Sequence, residues 1–267
     1  MVHEVTPKAF LVGASSMFEN EMFNYLQQMG VDEAFFENLT ESEPEALTEI
    51  YSRSCYKSFQ PGLNPNVTRV RPSNQEHLAN ILAVNHGSVL EHVSFNWFFT
   101  DVSIVFTQEL IRHRVGTAIS QESLRFVRLT DLGQWVPECF ADMPEAKLLF
   151  QDAFFEAEQM YKDLLTWAAA KEGADSFDDI KDFNTKKLYT SAARRVAPIG
   201  LASNIGWTCN MRELRHVLAL RTSPAAEEEM RLIFGAVGHI MKERYPNFFQ
   251  DFHDHQDGPY TIWCQSH

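Results

Sequence analysis

From Val93 to Thr100 apolar and polar residues alternate. Val93, Phe95, Trp97 and Phe99 fall on one side, and Ser94, Asn96 and Thr100 on the other, with Phe98 as the break. A period of two predicts a strand with one buried face. After Asp142 the period changes: Phe150, Phe154, Ala157, Tyr161, Leu164 and Ala168 recur at steps of four and three. That spacing predicts a long helix packed along one side, with Asp142 as its cap, Pro144 in its first turn and Gly173 just past its end. Ala9 to Val12 is a short apolar run closed by Gly13 and predicts a first strand. Ser42-Glu43-Pro44-Glu45 has the form of a capping box with proline in the first turn, opening a helix to about Ser52.

Pro61, Gly62, Pro65 and Pro72 mark residues 57–72 as a loop, after which Ser73 caps a helix carrying Leu78, Ile81, Leu82 and Val84. Asp101 stands where it would cap a short helix, Val102 to Ile111. Further helices are predicted near 182–196, 211–221 and 225–244, and a strand over 201–208. In the helix from Met211, Leu214, Val217, Leu218 and Leu220 form the covered side and Asn210 the cap. Few strands, many helices and no regular βαβ alternation predict an α+β fold. We expect a small central, mostly antiparallel sheet with several packed helices and a helical extension, as a single domain over residues 1–267.

Composition narrows the class. The 267 residues are 45% hydrophobic with 21 Phe, enough apolar material for a core, so global disorder is excluded. No run of about 18 apolar residues occurs, and Met1 to Lys8 lacks the basic start of a signal peptide. Four dispersed cysteines (Cys55, Cys139, Cys209, Cys264) with no CxxC argue against a zinc ribbon or a redox dithiol and suit a reducing cytoplasm.

The formal net charge of −13 argues against anionic ligands until it is resolved by position. Nine of the 14 Arg lie in two windows, 112–128 and 194–221, which contain no Lys and only Glu122 and Glu213 as acids. The windows carry +7 and the remainder of the chain −20. Arg in place of Lys favours bidentate contact with planar or multi-oxygen anions. Two solvated helix faces paired with the acidic remainder would produce the same count.

In the first window, Gly116-Thr117 turns the chain after Arg112-His113-Arg114, and Ser120, Gln121 and Ser123 follow beside Arg125. Hydroxyls, guanidinium groups and free backbone N–H groups are what a phosphate monoester requires. Neither GxxxxGK[ST] nor GxGxxG is present. His86, Glu91 and His92 cluster before the strand at 93, but without HExxH spacing they read as a polar turn rather than as metal ligands. His253-Asp254-His255-Gln256-Asp257 reads as a solvated end. No metal is expected. In the second window Arg212 and His216 are four apart and share a helix face.

At these residues the chain resembles the flavin-dependent thymidylate synthases. That family is marked by Arg-His-Arg, then seven residues, then Ser-x-Arg. Here Arg112-His113-Arg114 and Ser123-Leu124-Arg125 carry the pattern, after a His86…Glu91-His92 element and before Arg194…Pro198, Asn210-x-Arg212 and Leu220-Arg221. The resemblance covers roughly residues 75–225. It departs in two places: the serine arrives one position late, with Glu122 where the family has Ser, and His216 stands where the family often has Asn.

The resemblance implies methylation of dUMP to dTMP with methylenetetrahydrofolate as one-carbon donor, reduced FAD as hydride source and NADPH as reductant of the flavin. It implies a homotetramer with shared active sites. FAD would be bound by Ser88, Arg112, His113, Arg114, Gln121, Asn210, Arg212 and His216. The nucleotide would be bound by Glu109, Gln121, Ser123, Arg125, Arg194 and Arg221, with Arg221 catalytic. No cysteine nucleophile is implied, and Cys209, the one candidate beside an Arg window, reads as a structural thiol. Two other readings stand beside this one: a flavoprotein of the same fold acting on another nucleotide, and a non-catalytic nucleic-acid-binding protein using the Arg windows. Few stacking aromatics and the −20 remainder count against the latter, and we expect no nucleic-acid or membrane partner.

Overall fold

A computed structural model of the chain describes residues 2–37, 39 and 42–266. In chain order its elements are β1 (His3–Glu4), β2 (Lys8–Ala14), α1 (Glu19–Gln28), α2 (Glu33–Glu37), α3 (Glu43–Tyr56), α4 (Asn74–Ala83), β3 (Ser94–Ser103), α5 (Ile104–Leu110) and β4 (Thr117–Gln121). These are followed by β5 (Gly133–Gln134), α6 (Pro144–Lys171), α7 (Phe183–Ala193), β6 (Ala202–Asn210), α8 (Met211–Arg221), α9 (Glu228–Arg244), β7 (Phe252–Asp257) and β8 (Tyr260–Gln265). The architecture is α+β, as the pattern predicts. A four-stranded sheet has the order β2-β3-β6-β4; β1 pairs parallel with β5, and β7 antiparallel with β8. Among the described residues no helix is long and apolar enough to cross a membrane.

The alternation at 93–100 is realised in β3, where Phe95, Trp97 and Phe99 are buried and Phe98 is half exposed. Contacts group the chain into two compact units: residues 1–10, 98–112 and 119–206, and residues 11–97, 113–118 and 207–267. In the first, α6 lays Phe154 and Tyr161 against Leu129, Leu132, Ala193 and Leu201, and the end of the same helix packs Ala168 and Ala169 on Phe177 and Ile180. In the second, Leu26, Val31, Ile50 and Phe59 form one cluster, and the Trp207 ring meets the edge of Phe234 on α9 at 5.8 Å.

Several predicted details are corrected. Asp101 does not cap α5; it has φ +59° inside β3, and Ser103 Oγ accepts the Phe106 N–H instead. Asp142 does not cap α6, whose cap position is Met143 with no side-chain bond. Ser42 stands at the cap of α3, yet its hydroxyl donates to the Glu45 carboxylate rather than taking a backbone N–H. Leu220 is exposed rather than part of the covered side of α8. Ser73 and Asn210 do cap their helices, accepting from the N–H groups of Glu76 and Glu213.

In the C-terminal segment His253–Asp257 are solvated as expected, but they belong to an ordered hairpin. The predicted solvated end is a β-hairpin in which His253–Asp257 are exposed but Tyr260–Trp263 are buried. The Trp263 N–H donates to Thr222 Oγ1 at 2.9 Å, and that hydroxyl donates to the Leu218 carbonyl, so β8 holds the chain directly after Arg221. The indole of Trp263 crosses α9 at Gly238, where a Cβ would lie 2.1 Å from Nε1. Gly238→Ala is therefore expected to lower unfolding free energy by about 1–3 kcal/mol, through overpacking rather than lost contact. Urea denaturation measures it, and an unchanged midpoint would show that the hairpin is not packed this way.

Candidate active site

The side chain of His113 lies in the turn before β4 and is buried. Its Nε2 accepts a 2.8 Å hydrogen bond from Nε of Arg221, the last residue of α8. Its Nδ1 lies 3.3 Å from Oε1 of Glu213, in the first turn of the same helix. Burial pushes the Glu213 carboxyl above its usual range, against the opposing pull of His216. The His216 ring stands 6.3 Å from that of His113 at 67°.

The start of α8 is built by two close approaches that exclude side chains. Gly116 has φ +65°, and a Cβ there would come within 2.2 Å of Asn210 Nδ2; the Asn210 N–H donates to the Gly116 carbonyl at 2.9 Å. Glycine is thus required twice over, by conformation and by space. At Gly87 a Cβ would lie 2.9 Å from Arg212 Nε, so Arg212 runs across the 3₁₀ turn Gly87–Glu91, with its Nη1 2.5 Å from Glu91. Both members of that pair are about half exposed, so it is worth about 0–1 kcal/mol and releases Arg212 to an anion at little cost. Ser88 is exposed on this turn, and Arg114 is exposed before Gly116. A cavity of about 340 Å³ is lined here by Asn85, Gly87, Leu90, Arg212, Arg215 and His216.

The other unit carries the remaining sequence-selected residues. Glu109, near the end of α5, lies 3.2 Å from exposed Arg112. Gln121 closes β4 and donates to Thr107 Oγ1 on α5 at 3.1 Å. Ser123 Oγ accepts the Arg125 N–H at 3.4 Å, and the Arg125 carbonyl accepts from Thr190 Oγ1 on α7 at 3.0 Å, three residues before that helix ends at Ala193 with Arg194 as its C-cap. Glu122, which takes the place of the family serine, has its carboxylate on the N–H and side-chain amide of Asn204. Ser123-x-Arg125 follows directly after it.

Not every Arg of the two windows serves an anion. Arg215 is buried with both Nη atoms on Asp251, and Arg128 pairs with Asp178 at 2.8 Å over the Phe177 ring. His86 and His92 stack on Tyr56 and Tyr51, and Glu91 is taken by Arg212, so the three face different partners. Cys209 is fully buried, and burial, with Glu213 nearby, pushes its thiol well above the usual range. Glu213 and Gly87 were not legible as site residues. The Asn210-x-x-Glu213 spacing signals only a capping box.

A family model described as thymidylate synthase complementing protein matches residues 38–247. The flavin-dependent thymidylate synthase of Corynebacterium aurimucosum is 34% identical over 212 residues, 79% of this chain and 81% of that protein. That of Mycobacteroides abscessus is 33% identical over 207 residues, 78% of this chain and 79% of that protein. Among solved structures, a UMP/dUMP methylase of Streptomyces cacaoi bound with 5-Br dUMP has a TM-score of 0.61 at 16% identity, covering 93% of this chain and 95% of that one. Thymidylate Synthase X of Helicobacter pylori, with FAD and dUMP, has a TM-score of 0.56 at 21% identity, covering 78% of this chain and 94% of that one. At these identities the solved structures show a shared fold.

Proposed function

Because the chain belongs to the flavin-dependent thymidylate synthase family, we propose that it methylates dUMP to dTMP, with methylenetetrahydrofolate as one-carbon donor and NADPH as reductant. FAD, when bound and reduced, supplies the hydride. A cytoplasmic homotetramer with shared sites completes the reading.

The residues suit a flavin dinucleotide. The bare backbone at Gly87 and Gly116 lets Arg212 and Asn210 lie against it, and Arg212 pairs with Glu91 at an exposed position. We assign FAD to Arg212 with Ser88, Arg112, His113, Arg114, Gln121, Asn210 and His216, side chains that would supply donors to a pyrophosphate and a polar ring edge. The nucleotide falls to Glu109, Gln121, Ser123, Arg125, Arg194 and Arg221. Ser123, Arg125 and Arg194 match a phosphate bearing nearly two charges, and the Thr190 bond to Arg125 ties the loop to the helix whose C-cap is Arg194.

Arg221 takes the uracil. Its guanidinium favours the N3-ionised form of the base and so raises nucleophilicity at C5, electrostatic stabilisation of charge as it develops. The observation that carries the reading is the way Arg221 is held: a guanidinium at a helix end whose Nε–H donates to the buried imidazole of His113.

Cys209 does no chemistry in this scheme, since its thiol stays protonated at neutral pH. Cys209→Ala is expected to keep dTMP formation within about threefold of the parent while losing roughly 1 kcal/mol of stability to the small cavity. Loss of turnover with the fold intact would restore a thiolate mechanism. The function itself is tested with purified protein reconstituted with FAD, by tritium release from [5-³H]dUMP with folate and NADPH, and with UMP run in parallel. A protein that cannot take up FAD, or that releases label only from UMP, overturns it.

A further inference from the structure

Resting on the synthase reading above, we infer that Glu213 is a positioning residue: through His113 it sets the direction of the Arg221 guanidinium.

The starting point is a hydrogen bond that is not made. Asn210-x-x-Glu213 has the spacing of a capping box, in which the glutamate returns to the backbone N–H of the cap residue. Half of that box exists, since Asn210 Oδ1 accepts the Glu213 N–H at 2.9 Å. The other half is replaced: the Asn210 N–H goes to the Gly116 carbonyl at 2.9 Å. The Glu213 carboxylate is thereby released from helix capping and turned to His113 Nδ1, 3.3 Å away. Both side chains are largely out of solvent, at 12% and 8% exposure, so the contact is poorly screened.

The proton on His113 then has one consistent position. Arg221 Nε carries a hydrogen and has no lone pair to offer, so the Nε2 atom 2.8 Å away must present its own lone pair. A proton on Nε2 would set N–H against N–H beside a fixed cation. The ring is therefore neutral, with its single proton on Nδ1, facing Glu213. A carboxylate there stabilises that tautomer and holds the ring plane, as an outer carboxylate does for an imidazole that ligates a metal. With the ring held, the Arg221 Nε–H keeps its acceptor in a fixed place, which restricts the direction of the guanidinium. Without Glu213 the Nδ1 proton loses its carboxylate, so the Nε2–H form, in which the Arg221 hydrogen bond is lost, gains population. His216 is the other ring facing His113, and it stands too far away, at 6.3 Å between centroids, to take over the acceptor role.

The experiment has two readouts. Ring ¹⁵N shifts of His113 in the parent protein, without nucleotide, are expected to show a protonated Nδ1 and a bare Nε2 at neutral pH. A ring protonated at Nε2, or at both nitrogens, overturns the inference whatever the activity. In Glu213→Leu, which keeps bulk but offers no acceptor, the ¹⁵N shifts are expected to move to a tautomer average. Tritium release from saturating [5-³H]dUMP should fall about 10- to 100-fold, the usual scale for loss of an outer-shell carboxylate, with dUMP affinity changed less than threefold. Glu213→Gln keeps an acceptor oxygen and should recover most of the rate. Leu and Gln variants of equal rate, or unmoved ¹⁵N shifts in the Leu variant, also overturn it. A parent protein that shows the Nδ1–H tautomer but releases no tritium retains the relay and removes the synthase reading, so the two failures are distinct.

Discussion

Arg221→Ala is expected to lower tritium release from [5-³H]dUMP by about 10²- to 10³-fold, the scale of removing one pre-oriented donor to a developing anion. Label release reports nucleophilic attack from C5, the step that the Arg221 charge serves. FAD is expected to stay bound, because the glycine-bounded Arg212 and His216 region is built without Arg221. Arg221→Lys should recover little, since an ammonium lacks both the fork and the Nε–H that meets His113. Flavin absorbance after gel filtration, alongside the label assay, separates the two effects. Normal label release from a flavin-loaded Arg221→Ala protein would remove this residue from the chemistry.

Asp251→Ala is expected to lower unfolding free energy by about 3–5 kcal/mol, the range for stripping the partner from a buried ion pair. Arg215 is 7% exposed and meets both Asp251 oxygens, at 2.9 and 2.6 Å. Its guanidinium also donates to the Phe248 carbonyl and lies 4.8 Å from the Phe252 ring centre. Removing the carboxylate leaves a cation with no counter-charge among aromatic rings. Arg215→Met with Asp251→Leu should lose much less than Asp251→Ala alone, because no charge is then buried unpaired. Denaturant titration of the three proteins measures both quantities. A loss under 1 kcal/mol for Asp251→Ala would mean that the pair is solvated and contributes little.

These two arginines stand six positions apart on α8 and were indistinguishable in the charge map. The windows 112–128 and 194–221 are rich in Arg, but nine guanidinium groups counted by position look alike. Arg215 and Arg128 are occupied by Asp251 and Asp178, while Arg212 is loosely held and Arg221 is held by an imidazole. A residue's own neighbours in sequence do not carry that difference. The carboxylate that neutralises Arg215 lies 36 positions away, and the imidazole that orients Arg221 lies 108 positions away.

The same division runs through the fold. β3 and α6 were legible because their burial follows a strict local period, and the caps at Ser73 and Asn210 because a short polar side chain precedes an apolar run. Asp101 and Asp142 have the right chemistry for caps, but Asp101 has φ +59° and the cap position of α6 falls on Met143. β7 reads Phe-His-Asp-His-Gln-Asp, with no period at all. It is a strand because six residues of β8 pair with it.

By itself, then, the sequence determined the α+β class, the order of the main helices and strands, the cationic windows and the family, since each is written in residue type and near-neighbour spacing. Tertiary structure decided what holds several of those cations, why Gly116 cannot be larger, and what the Glu213 carboxylate faces. Those are contacts between segments far apart along the chain. Coulombic and steric energies fall off over a few ångströms in space, whatever the separation in sequence.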